Sequence, residues 1–489
     1  MRIFKLCIMM AIFALLVSTG TRANAASNLL LDEAIPVAVV EGDLATEPAQ
    51  DVTNDVVTSV SEPEVLTLEM ALQASFDNNR NIELARQAIE LTKAGGQAGL
   101  VGFLPDLNMI FSFTRNLKSE TVDIPDVGEF EMTPIASWYG AINFRYPIWH
   151  NGERDAIVRQ NAASEEISES ELEIARAMIA YAATDAFCSA REGYGGLAVR
   201  QASLAHLTEL ERQVQAMYDA GYVALSDLLS VQVARSQAEL QVVEWTNNIQ
   251  IRMTYLNLIM GEDVATRWTI VPIDYPIVEI PFSQETLTEW ALENRPELKQ
   301  LRAERARLEA QMDGIRSSTG PQVDFEASYS QRSAGGLSTG SETVSGTINF
   351  WWDLYNFGKT DDLLGPLEAQ MAMLDIREVE QDQRIRSEVE QAMLSLNTQL
   401  QNVNVTNQAV AQAEEALRVS QRRMEEGLGL MVEVLNAQAT WTTLGAQSVF
   451  ATHMYYRLLA ALSGAVAVDP RDLITLIEVS GGQNAPESN

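Results

Sequence analysis

The chain has 489 residues, of which 67 are acidic and 34 basic, for a net charge of −33. Recognition of a phosphate backbone needs a basic footprint, so this balance excludes nucleic acid as a partner. It is the balance of a large solvated surface.

At the N-terminus Arg2 and Lys5 precede an apolar run over residues 6–17, and Ala23-Asn24-Ala25 supplies a small-x-small cleavage site. This pattern predicts a secretory signal peptide over residues 1–25. The run is too short for a membrane anchor. Cys7 would leave with the signal, so Cys188 is the single cysteine of the mature chain. No intrachain disulfide is then possible, and Cys188, in an Ala-rich helical run, reads as a small buried residue. Residues 26–64 are rich in Asp, Glu, Pro, Thr and Val and contain no Lys or Arg; they predict a disordered acidic leader. No long uninterrupted apolar run follows, so a membrane crossing would have to use strands.

Helical structure is predicted from Thr67, an N-cap followed by Glu69 in the first turn, and again from Ser283 with Glu285. Each copy breaks, at residues 78–81 and 294–296, and resumes as a second helix running to about Gly102 or Gly320. Strands come next. Leu107, Met109, Phe111 and Phe113 share one face, as do Val323, Phe325, Ala327 and Tyr329. The return strands carry Trp138, Gly140, Ile142, Phe144 and Tyr146 in one copy and Val344, Gly346, Ile348, Phe350 and Trp352 in the other. A period of two means one apolar and one wet face. Polar loops over residues 115–137 and 331–343 close the two hairpins, whose outer limits are 104–147 and 320–353.

Strands of about ten residues suit a tilted membrane crossing, and Tyr146, Trp149, Trp351, Trp352 and Tyr355 suit an interfacial girdle. Four strands leave two open edges, which hydrocarbon does not tolerate, so several chains would have to pool their hairpins into one closed barrel.

The exits from the hairpins organise the whole chain. Residues 142–155 read INFRYPIWHNGERD, and residues 348–361 read INFWWDLYNFGKTD, an offset of 206 between Ile142 and Ile348. The same offset holds to residues 220–229 and 426–435, so the unit of strand, corner and long helix is duplicated. Ile385, Val389, Met393, Leu396, Leu400 and Val403 step by threes and fours, a coiled-coil seam. Gly193, Gly195 and Gly196 predict a kink or local unwinding in the first long helix. Each helix turns at Gly221 or Gly427, positions suited to a positive φ, and returns over residues 228–261 or 434–462. Residues 262–282, with Pro272, Pro276 and Pro281, form a crossing segment with a short strand outside the helices. Residues 470–489 are a C-terminal tail. The chain thus divides into repeat 1 (65–261), the crossing segment and repeat 2 (283–469), a mainly α fold with a small β part.

The ordered set of helix pair, hairpin with exit Pro147, Gly152 and Arg154, long helix, and turn Gly221…Asp227-Leu228-Leu229…Gln232 resembles the TolC family of outer membrane efflux proteins. The turn repeats as Gly427…Glu433-Val434-Leu435…Gln438. The resemblance covers residues 66–469. It implies a homotrimer that pools four strands per chain into a twelve-stranded transmembrane barrel, above a periplasmic α-helical tunnel closed at its tip. It further implies passive transport, as the exit duct of a tripartite efflux pump or a type I secretion system. The partners implied are outer membrane lipid, a periplasmic adaptor (membrane fusion protein) and an inner-membrane transporter of RND, ABC or MFS type. No cofactor, metal or catalytic residue is implied.

Within this resemblance Gly221, Tyr222, Val223, Leu225, Gly427, Leu428, Gly429 and Leu430 correspond to the adaptor-docking tips. Asp227 and Glu433 correspond to acidic residues near the lumen constriction, and Asn436 stands where a second carboxylate is usual. Met424 and Gly429 occupy the places of a tyrosine and arginine latch, and Asp353 replaces a hairpin-exit proline. Three copies of Glu433 about a narrow axis would repel one another and attract cations; the alternative is that Glu433 and Asp227 are solvated helix charges. Two other functions compete. An enzyme finds little support, because His150, His206 and His453 are dispersed, without metal-ligand spacing. A periplasmic coiled-coil scaffold or adaptor without a pore would explain the helices but not two hairpins at equivalent places.

Overall fold

The computed structural model describes residues 64–468, except 119, 127, 132–134, 274 and 334–339. The signal peptide, the acidic leader up to its last residue and the C-terminal tail lie outside the described residues. Glu64, assigned above to the leader, is already in strand β1 (Glu64–Leu66), which pairs in parallel with β6 (Trp268–Ile270) of the crossing segment.

Helix α1 (Leu68–Asn78) opens at Thr67, whose hydroxyl accepts from the Met70 N–H at 3.2 Å. Asn79, in extended backbone, separates it from α2 (Arg80–Gly99) and caps α2 through its side chain. The second copy repeats this as α5 (Gln284–Asn294), capped by Ser283, and α6 (Pro296–Ser318), with proline in its first turn.

Four long strands follow these pairs: β2 (Asp106–Arg115), β5 (Ala136–Trp149), β7 (Gln322–Arg332) and β8 (Ser341–Trp351). They form one antiparallel sheet in the order β2-β5-β7-β8, so β2 and β8 are its free edges. The loop between β2 and β5 is more structured than its polar composition suggests. It holds a ribbon of β3 (Thr121–Ile124) and β4 (Gly128–Glu131), closed by positive φ at Asp126 and Gly128. The short β-branched pair Thr121-Val122 is enough for a strand once a tight turn returns the chain to it.

At each hairpin exit two successive residues take positive φ, Asn151 and Gly152 in one copy, Phe357 and Gly358 in the other. The corners launch α3 (Glu153–Asp219) and α7 (Lys359–Glu425), each of 67 residues. At ~1.5 Å per residue each runs roughly 100 Å. They return as α4 (Leu225–Met260) and α8 (Met431–Val466), 36 residues each. No helix among the described residues is long and apolar enough to cross a membrane.

Each long helix is covered in two lengths. Along α3 the C-terminal half carries α4, through Arg235 to Glu211 (3.5 Å) and Trp245 to the Gly193 carbonyl (2.8 Å). The N-terminal half carries α2, through Asn161 to the Gly96 carbonyl and Lys93 to Glu165. Where α4 ends, Asn79 donates to the Ile259 carbonyl at 2.8 Å and Asn78 to Glu262 at 3.1 Å, so α4 abuts the break between α1 and α2. In the second copy buried Arg295 donates to the Ala465 carbonyl of α8 and pairs with Glu388 and Glu297. The crossing segment lies over this level, where Tyr455 and Tyr456 donate to the carbonyls of Val278 and Tyr275.

The α7 seam is buried as its spacing predicts: Ile385, Val389, Leu396 and Val403 are core residues, with Met393 and Leu400 packed against them. Gly193, Gly195 and Gly196 correct the expectation of a kink or unwinding, because α3 runs through them without interruption. They are there for close approach. A Cβ at Gly195 would lie 2.6 Å from Val449 of α8, and one at Gly196 would lie 2.6 Å from the Trp245 indole of α4. Each missing side chain lets a neighbouring helix sit nearer, which offsets the lower helix propensity of glycine. Beside these contacts a groove of about 650 Å³ opens between α4 and α8. Gln237, Gln241, Gln438 and Thr442 line it together with Trp245, the lining of a solvated helix cleft.

Cys188 is fully buried, and desolvation pushes its thiol up to about 12. His453 of α8 is also buried, and its Nδ1 has no hydrogen-bond partner among the described residues. Burial, then the nearby Arg191 and Arg457 cations, lower its pKa from 6.5 to about 4. The unfolded chain therefore binds this proton more tightly, so the folded state loses stability as pH falls through 6.5 towards 4 and is unaffected above that window. The loss between pH 7 and 5 comes to about 2 kcal/mol per chain. His453→Gln should flatten that limb in thermal unfolding of the detergent-solubilised protein; an identical slope in the variant would assign the limb to other groups.

Candidate functional site

Two regions stand apart from ordinary packing: the four-stranded sheet and the two helical tips at the other end of the long helices. In the sheet, register converts sequence alternation into one continuous face. Met109, Ile142, Tyr329 and Val344 form one row across all four strands, and Tyr146, Phe325 and Ile348 form another across three. On this face Leu107 is 69% exposed and Val344 77%, because no layer formed by the described residues covers them. Trp149, Trp351, Trp352 and Tyr355 are exposed beside the corners. The opposite face carries Asn143 donating to Asn108 (3.0 Å), Ser328 against Ser345 (2.7 Å), and Arg145 paired with Asp324 (2.9 Å). A bare apolar face backed by a polar one, with aromatics at one end, is the construction of a barrel wall in lipid.

The tips close by the same device twice. Gly221 has φ +76° and Gly427 φ +72°. The N–H groups of Tyr222 and Leu428 reach back to the carbonyls of Met217 and Arg423, at 2.9 and 2.8 Å. Those of Gly221 and Gly427 reach Tyr218 and Met424, at 2.8 and 3.0 Å, completing a Schellman motif in each copy. Below the turns Val214, Leu228, Val231, Met424, Met431 and Val434 belong to one buried cluster, which fixes the two tips side by side. Gln438 and Thr442 of α8 both bond Ser203 of α3, at 3.0 and 2.9 Å.

What faces solvent at the tips is apolar: Tyr222 is 84% exposed and Leu428 70%, and Leu225 and Leu430 are each half exposed or more. Val223 instead packs on the buried cluster. Asp227 and Glu433 occupy the same first-turn position of α4 and α8, and exposed Asn436 lies one turn beyond Glu433. Sequence reasoning missed Arg423. It flanks the second turn opposite Glu433, with Nη1 at 4.0 Å from the Glu433 carboxylate and Nη2 donating to the Leu428 carbonyl at 3.4 Å. The signal was available, since residues that bracket a tight helical hairpin come back into proximity.

The histidines stay apart. His150 lies at the first corner, 2.9 Å from Asp324, His206 meets Trp441 edge-on, and His453 is buried in α8. Among the described residues no group of three or more His, Cys, Asp or Glu is placed to hold a metal ion.

Solved structures with this architecture include outer membrane proteins. The outer membrane protein VceC of Vibrio cholerae is 18% identical, with TM-score 0.66 over 82% of this chain and 96% of that one. The CmeC outer membrane channel of Campylobacter jejuni is 14% identical, with TM-score 0.68 over 91% and 98%. A membrane protein from Pseudomonas aeruginosa is 18% identical, with TM-score 0.69 over 82% and 93%. A search of curated proteins by sequence finds no match. At these identities the likeness speaks for the fold, which is the mainly α, hairpin-bearing fold anticipated from the duplication. The family model of the outer membrane efflux proteins, however, matches residues 71–262 and 287–468, the two halves of that duplication; this chain therefore belongs to that family of outer membrane channels.

Proposed function

We propose that three copies pool their strands into one twelve-stranded barrel and act as the passive exit duct of an export assembly. The observation that carries this reading is the sheet: four strands, with both edges free and one continuous apolar face left uncovered among the described residues. Such a sheet has unsatisfied edges in lipid until other copies supply the missing neighbours. With long helices of roughly 100 Å below it, the assembled barrel continues into a periplasmic tunnel. Purified protein should therefore run as a trimer in detergent and insert discrete ion-conducting channels into planar bilayers. A stable monomer without conductance would sink the proposal.

The finer assignment concerns partners. Exposed Tyr222, Leu225, Leu428 and Leu430 beside Gly221 and Gly427 fit the end surface that a periplasmic adaptor grips, which in turn joins an inner-membrane transporter. Exposed aromatic and aliphatic anchors at a preformed turn are the residues that dominate an interface. The double variant Tyr222→Glu and Leu428→Glu is expected to weaken docking on the order of 30-fold or more. It should therefore abolish the export that depends on this protein in cells, with trimer and outer membrane level unchanged. Undiminished export from such a strain would remove the tips as the docking surface.

A further inference from the structure

We propose that Arg423 is a specificity-determining residue of the duct, holding the charge of the Glu433 ring near neutral so that selection by charge at the tip falls to Asp227. The inference rests on the reading of Glu433 as a lumen residue and deepens it.

The duplication provides the comparison. Position for position, Asp227 in repeat 1 matches Glu433 in repeat 2, both in the first turn of a returning helix. The residue facing Glu433 across its turn is Arg423; at the same offset of 206, repeat 1 has Met217. Among the described residues Glu433 is the only carboxylate within 4.0 Å of the Arg423 guanidinium. The turn itself fixes this approach, because Arg423 donates to Leu428 and its own carbonyl accepts from Leu428 and Gly429. No ion pair to Asp227 occurs among the described residues.

With side chains 56% and 44% exposed, the pair adds little to stability. Its effect is on the potential that a passing ion meets. A guanidinium within 4 Å of each carboxylate cancels most of its field beyond a Debye length. Three uncompensated Glu433 carboxylates would make a strongly cation-attracting ring, whereas three Arg423–Glu433 pairs make a ring of dipoles. Asp227 has no such compensation, so it sets whatever cation preference remains.

Reversal potentials across a KCl gradient, at low ionic strength, test this on reconstituted full-length trimers. Arg423→Gln should raise the K⁺ to Cl⁻ permeability ratio about fivefold, the factor a unit charge contributes at this range in water. Glu433→Gln should lower it by a similar factor, and the double variant should return it close to the parent value. Arg423→Lys should keep the parent ratio. Asp227→Asn should lower the ratio by the same factor with or without Arg423. If Glu433→Gln lowers the ratio and Arg423→Gln leaves it unchanged, the proposal falls and the lumen reading stands. If neither variant moves the ratio, Glu433 does not face the lumen and both fall. A change in conductance without a change in ratio after Arg423→Gln marks a purely structural role and overturns the proposal.

Discussion

Ile142→Arg is expected to strip the outer membrane of assembled trimer, whereas Asn143→Arg, one residue along the same strand, is expected to leave assembly intact. Ile142 sits in the middle of β5, between Met109 and Tyr329 on the bare apolar face. Asn143 points to the other face, where it donates to Asn108 at 3.0 Å. A cationic side chain on the lipid face near the bilayer midplane costs about 2–4 kcal/mol, and a trimer would carry three. On the lumen face the same charge stays in water, and the loss is one side-chain hydrogen bond, about 1 kcal/mol. The amount of heat-modifiable trimer in the outer membrane fraction decides the matter. Equal loss from both variants would mean that the sheet is not a wall between lipid and water.

The second large effect is expected at Gly261. Its φ is +74°, and an added Cβ would stand 2.3 Å from the Asn78 carbonyl oxygen and 2.7 Å from the carbonyl carbon. Those atoms are backbone at the break between α1 and α2, held by the bonds from Asn78 to Glu262 and from Asn79 to Ile259. They cannot rotate away. Gly261→Ala combines left-handed backbone strain with a backbone clash and should cost about 3 kcal/mol or more per chain. Gly427 separates the two contributions, because its φ is +72° and nothing lies within 4 Å of an added Cβ. Gly427→Ala should cost about 1–2 kcal/mol, the strain alone. Thermal unfolding of both variants measures the difference, and equal destabilisation would show that the approach of α4 to the α1–α2 break carries no energetic weight.

The family standing accords with the view of a chain that moves substrates and does no chemistry on them, because the family consists of channels. The tip arrangement gives that view a specific form. The latch positions at Met424 and Gly429 hold neither the tyrosine nor the arginine of the resembled pattern, yet an arginine one residue before Met424 reaches the Glu433 carboxylate. Arg423 and Glu433 thus bracket the same tight turn of one helical hairpin.

What the amino-acid sequence determined by itself is everything that a residue or its near neighbours encode. Alternation with period two produced the four strands and their apolar face, since a strand turns its side chains to opposite sides whatever it packs on. Thr67 and Ser283 marked helix starts because their hydroxyls satisfy N–H groups three residues on. Gly221 and Gly427 marked the tips because a positive φ favours glycine, and the seam from Ile385 to Val403 is a property of helical pitch. The tertiary structure alone decided where distant helices touch. The glycines at 193, 195 and 196 read as a kink, since their use depends on Ile249, Val449 and Trp245, which lie on other helices. Gly261 gave no hint of Asn78, nor His453 of Arg191. These contacts depend on the relative register of packed helices, which accumulates from many small packing choices and leaves no periodic trace in the chain.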